Sequence, residues 1–95
     1  MTVELLLPGA LAELVPGGGR RLSVDVTEPG TVGALLDELG RRLPALERRL
    51  RDEQGQLRRH VNVYVDGDDI RGDLGLEHPV RPGGEVLVLP SVAGA

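Results

Sequence analysis

HVNVYVDGDDIR, His60 to Arg71, decides the fold. Val61, Val63 and Val65 alternate with Asn62 and Tyr64, and a period of two puts the three valines on one face of a half-buried β-strand. Asp66-Gly67 follows at once. That dipeptide accepts positive φ, so DGDD (Asp66 to Asp69) reads as a tight turn. Further on, Ile70, Leu74 and Leu76 fill a short irregular connection, RPGGE (Arg81 to Glu85) turns the chain, and EVLVLP (Glu85 to Pro90) forms a last strand. Pro90 ends it, because proline cannot donate to a ladder.

Upstream of His60, PALERRLRDEQGQ reads as a short helical segment with Leu46 and Leu50 facing inward, Arg48, Arg49 and Arg51 facing water, and Gly55 releasing the chain. A longer helix precedes it. Val32, Leu35, Leu36, Leu39 and Leu43 form one apolar stripe, Thr31 is the expected N-cap, and Gly40 and Pro44 mark its end or a break. Glu38 and Arg42 stand at a supportive i,i+4 spacing. At the start, VELLL (Val3 to Leu7) and the alternating RLSVDV (Arg21 to Val26) flank a loop containing VPGGG, which predicts an antiparallel hairpin. The order is β β α (α) β β, so the expected fold class is α+β: one mixed sheet of four to five strands with its helices on one face.

The 95 residues fit one domain, 1–95, with a flexible tail over 90–95. The chain has no cysteine, which excludes disulfides and any thiol nucleophile or thiolate ligand on a side chain and fits a cytoplasmic protein. A net charge of −4 argues against nucleic acid as the main partner, and no run approaches the length of a membrane span. All eleven basic residues are arginine, so no side-chain amine exists for a Schiff base or isopeptide bond, and Tyr64 is the sole aromatic.

Candidate chemistries fail one by one. PGGGRR has the glycines of a phosphate loop without its Gly-Lys-Ser/Thr. DGDDIRGDLGLE has four aspartates, but Ile70 and Arg71 occupy the fifth and sixth positions of a calcium loop, and the sixth requires glycine. His60 and His78 stand without ligand partners, and no serine or threonine has a triad around it. The arginine pairs 41–42, 48–49 and 58–59 read as a wet helix face, or less readily as a contact for an acidic partner. No catalytic residue and no metal site is expected.

The last strand is less ordinary. Val86 and Val88 suit the core, but Leu87 and Leu89 on the other face are apolar too, and with Tyr64 they form a patch. Either it marks a partner surface or the second helical segment or a loop covers it. Beyond it lies SVAGA, without a charged side chain.

Together these features resemble the MoaD/ThiS family of ubiquitin-like β-grasp sulfur carriers. The element order matches throughout. HVNVYVDGDDIR and RPGGEVLVLPSVAGA carry the most specific likeness, and length and HVNVYVDGDDIR are most similar to the CysO-type actinobacterial carriers of cysteine biosynthesis. The resemblance implies a protein co-substrate and not an enzyme. An E1-like enzyme uses ATP to adenylate the terminal carboxylate, sulfur replaces one oxygen, and a sulfur-accepting synthase of cysteine, molybdopterin or another product consumes the thiocarboxylate. No cofactor is bound by the carrier itself. The sulfur would ride on Gly94-Ala95. Pro90, Ser91, Val92 and Ala93 would thread a narrow channel that small residues do not block. Tyr64, Leu87 and Leu89 would dock partners. The family pattern ends Gly-Gly and this chain ends Gly94-Ala95. Ala95 is therefore accepted as the acyl-bearing residue, or blocks activation, or is removed by a peptidase. The alternative function is a docking module or protein modifier that never receives sulfur.

Overall fold

Five strands form one mixed sheet in the computed structural model, which describes residues 1–90. The order across the sheet is β2 (Arg21–Asp25), β1 (Thr2–Leu6), β7 (Glu85–Pro90), β4 (Val61–Val65), β5 (Asp68–Asp69). β1 and β2 pair antiparallel as the expected hairpin, with Val3 opposite Val24. β7 lies between β1 and β4, parallel to the first and antiparallel to the second. A separate small ladder joins β3 (Gly30–Thr31) to β6 (Pro79–Val80).

The period of two holds. Val61, Val63 and Val65 are buried, and Asn62 and Tyr64 between them are half-buried. Asp66 and Gly67 take φ of 49° and 93°, the positive values the β4–β5 turn requires. The valines, with Val3, Leu5, Val24, Val86 and Val88, meet Leu35, Leu36 and Leu39 of α2 (Val32–Arg42) and Leu46 and Leu50 of α3 (Pro44–Leu50). No polar side chain is buried among the described residues.

The Thr31 hydroxyl accepts from the Ala34 amide at 3.1 Å and caps α2. Thr31→Ala is expected to cost about 1 kcal/mol in urea unfolding, with Thr31→Ser near wild type; equal stabilities for the alanine and serine variants would show the cap to be dispensable. Gly40 does not break the helix, which runs to Arg42; Pro44, at the first position of α3, starts the next one.

Several charge expectations are corrected. Glu38 pairs with Arg41, not Arg42; Arg42 reaches sideways and donates to the Ser23 carbonyl of edge strand β2 at 3.1 Å. Arg51 does not face water. It is 12% exposed, between Asp37 at 2.9 Å and Glu47 at 2.7 Å, because the chain turns back beside α3 through the Arg51–Leu57 bridge. The segment between β1 and β2, read as a loop, holds one helical turn, α1 (Gly9–Ala12). Leu11, Leu14 and Val15 pack on the core edge at helical spacing before Gly17, Gly18 and Gly19 turn the chain with positive φ. No helix of the described residues is long and apolar enough to cross a membrane.

Candidate functional site

The sheet has two faces, and the helices cover one. On the other, cross-strand register sets side chains in rows. One row runs Leu6 in β1, Leu87 in β7 and Tyr64 in β4, with Arg21 and Asp69 at its ends. A second sets Glu4 of β1 between Ser23 and Glu85. A third pairs Asn62 with Leu89. The sequence therefore places Tyr64, Leu87 and Leu89 correctly relative to one another. Leu89 is 39% exposed, and Leu6, Leu87 and Tyr64 are half-buried. Among the described residues neither α3 nor a loop closes over them: they line a shallow concavity of about 340 Å³, with Leu6, Gly67, Asp66 and Glu85 completing the wall.

Two wall residues, Leu6 and Glu85, were not legible as site residues. Leu6 stands in the apolar run Leu5-Leu6-Leu7, between two buried leucines, where no alternation marks its face. Its place beside Leu87 depends on the parallel pairing of the first strand with the last. Glu85 reads as the end of a turn and the start of the last strand, with nothing local to single it out as a site residue.

The rim is polar and unequally paired. Asp66 is fully engaged: one carboxylate oxygen accepts the Glu85 amide at 2.9 Å and the other accepts Arg81 Nε at 3.1 Å. Glu4 accepts the Ser23 hydroxyl at 2.7 Å and lies 3.4 Å from Arg21. Among the described residues Glu85 has only the same Arg21, at 3.7 Å, and its side chain is 52% exposed.

The chemistries set aside above have structural uses instead. Asp69 accepts the Arg71 amide at 2.9 Å, and the Arg71 guanidinium bonds the carbonyls of Arg58 and Val61, tying the loop to the start of β4. His78 Nδ1 lies 3.0 Å from the Pro79 carbonyl, and its Nε2 has a carboxylate neighbour that the sequence did not reveal, Asp73 at 3.9 Å. No group of three potential metal ligands occurs among the described residues.

β7 carries Leu87 and Leu89 across this face and ends at Pro90, opposite Val61. Ser91, Val92, Ala93, Gly94 and Ala95 lie outside the described residues.

A model of the ThiS family matches residues 5–94. The sulfur carrier protein CysO of Mycobacterium tuberculosis is 34% identical over 96 residues, 99% of each chain. Its crystal structure superimposes with a TM-score of 0.82 at 32% identity, covering 95% of this chain and 99% of that one. The small archaeal modifier protein 1 of Haloferax volcanii is 37% identical over 92 residues, 97% of this chain and 99% of that one. Its crystal structure gives a TM-score of 0.80 at 35% identity, covering 96% and 98%. The crystal structure of the Amycolatopsis orientalis BexX/CysO complex gives 0.79 at 34% identity, covering 98% and 99%. The architecture is the expected ubiquitin-like β-grasp, with five strands in its mixed sheet.

Proposed function

The chain belongs to the ThiS family, and from that premise we propose that it is a sulfur carrier whose terminal carboxylate is activated and thiolated. The observation that carries this reading is the extent of the family match, residues 5–94, which takes in the tail PSVAG as well as the folded body. An adenylating enzyme would supply ATP. A terminal carboxylate oxygen attacks the α-phosphorus, pyrophosphate leaves, and an acyl adenylate results. Sulfide, or a persulfide of the enzyme followed by its reduction, attacks the carbonyl carbon, and AMP departs with the C–O bond electrons. The thiocarboxylate sulfur then attacks an electrophilic carbon of the acceptor, displacing a leaving group or adding to a polarised double bond that takes up a proton, and hydrolysis of the acyl–sulfur bond restores the carboxylate. The chain acts as co-substrate in this scheme and needs no catalytic side chain.

Likeness to CysO supports cysteine biosynthesis as the client pathway, and the complex of a CysO with BexX supports docking to a partner protein. Likeness to a small archaeal modifier protein favours a second reading, conjugation of the terminus to other proteins. With no lysine in its 95 residues, a conjugated copy offers no side-chain amine for a further copy.

The test is an intact-mass spectrum after incubation with the adenylating enzyme of the source organism, ATP and sulfide. A gain equal to exchanging one oxygen for sulfur, mapped to Ala95, is expected. Gain only in Ala95→Gly would assign this terminus a blocking role. Absence of gain in both, with the enzyme active on another carrier, would remove the sulfur-carrier reading.

A further inference from the structure

The concavity on the open sheet face is apolar along its floor and acidic at one end. Leu6, Leu87, Leu89 and Tyr64 make the floor, and the two charged groups lining it, Asp66 and Glu85, are both carboxylates. They differ in what they have left to give. Asp66 is occupied by the Glu85 amide and Arg81. Glu85 has no side-chain hydrogen bond among the described residues, and its only ion pair is the 3.7 Å approach to Arg21. That guanidinium is shared with Glu4, which the register sets directly opposite Glu85. Like charges facing each other across strands repel, and one exposed arginine at long range offsets little of that repulsion.

The charge around the concavity extends the same asymmetry. Glu4, Glu85, Asp66 and Asp69 share this face with Arg21 and Arg81. Between Asp37 and Arg59, on the helical side, seven arginines stand against five carboxylates. A basic partner surface is thus drawn to the sheet face and not to the helices.

We propose that Glu85 is the polar anchor of the docking face, pairing with an arginine or lysine of the adenylating enzyme whose aliphatic stem lies on Leu87 and Tyr64. This rests on the sulfur-carrier reading only in the choice of partner. The chemistry suits the shape: a long side chain covers apolar floor with its methylenes while its cation reaches the acidic end, and the Tyr64 ring adds a π face beside the path. The enzyme that takes the tail must lie next to this face, because β7 leads from Glu85 through Leu87 and Leu89 to Pro90, where the tail begins.

The test is equilibrium binding of the full chain to the adenylating enzyme of the source organism, at salt concentrations that shorten the Debye length from about 30 Å to about 3 Å. Wild-type affinity is expected to fall steeply with salt. Glu85→Gln should weaken binding about tenfold at low salt and flatten the salt dependence, and Glu85→Arg should weaken it by about a hundredfold or more. Glu53→Arg, a reversal at an exposed site between α3 and β4, should leave it unchanged. Glu85→Gln keeps the backbone amide that Asp66 holds, so its fold is the internal control. Wild-type affinity in Glu85→Gln, a flat salt profile, or no association at all would each overturn the proposal. Intact-mass spectra of the same mixtures at saturating enzyme separate the two ideas. Charge-dependent docking without sulfur gain in either the wild type or Ala95→Gly leaves this anchor standing and removes the carrier function, whereas sulfur gain with indifference to Glu85 does the reverse.

Discussion

Leu87→Asp is expected to reduce association with the adenylating enzyme by more than about a hundredfold, the scale of a central hot-spot residue, while the chain stays folded. The position explains both halves of the result. Leu87 lies between Leu6 and Tyr64, at the centre of the concavity, so a partner covering this face must desolvate it. An aspartate there would enter the complex unpaired, beside the carboxylates already at the rim, and desolvation and repulsion would act together. In the free chain Leu87 points away from the core formed by its neighbours Val86 and Val88, each 1% exposed. The folded state loses mainly strand propensity, about 1 kcal/mol, a fall of roughly 4–8 °C in Tm for a domain of this size. Leu87→Thr, whose β-branched side chain suits a strand better than aspartate, should recover that stability and still weaken binding. Binding and thermal melting measured on both variants decide the matter: affinity at the wild-type level in Leu87→Asp would mean that partners dock elsewhere.

The same reasoning separates what was legible in the sequence from what was not. Local rules worked where one residue's chemistry has one outlet. The valines at 61, 63 and 65 have a period that only a strand satisfies, Asp66-Gly67 can take the positive φ of the turn, and the Thr31 hydroxyl caps α2. Rules about partners worked less well, because an arginine side chain reaches several acceptors. Glu38 has two arginines within reach, and Arg42 is claimed by the Ser23 carbonyl, which belongs to a strand nineteen residues away. Arg51 reads as solvent-facing until the chain folds back and sets Asp37 of α2 beside it. The apolar concavity was legible only in part for the same reason. Tyr64, Leu87 and Leu89 come from the antiparallel β4–β7 pair, whose alternation is visible in each strand. Leu6 joins the wall through the parallel contact of β1 with β7, a pairing between distant segments that no local pattern announces, whereas Glu85 shares the Leu87 face by the period of two and only its neighbours Asp66 and Arg21 show its place at the rim.

Leu5→Ala and Leu6→Ala, adjacent substitutions of the same residue type, are expected to have opposite consequences. Leu5 is 0% exposed and stands opposite Leu22 and Val86, facing the helices. Truncation there leaves a cavity in a closely packed core and should cost about 2–5 kcal/mol, lowering Tm by roughly 8–40 °C at about 4–8 °C per kcal/mol. A domain of this length has about 5–14 kcal/mol in all, so the variant should sit near the edge of folding at physiological temperature, and it should bind partners normally wherever it remains folded. Leu6 points to the open face and is only half-buried, so Leu6→Ala forfeits a fraction of one leucine's burial, about 1 kcal/mol, and its effect should fall on affinity for the adenylating enzyme. Thermal melting and binding of the two variants side by side test the division of β1 into a core side and a partner side. Equal losses of stability would mean that the open face is packed as tightly as the core, and the concavity could then not be a docking surface. Unequal losses, with affinity changing only in Leu6→Ala, would locate the boundary between folding and function within a single pair of neighbouring leucines.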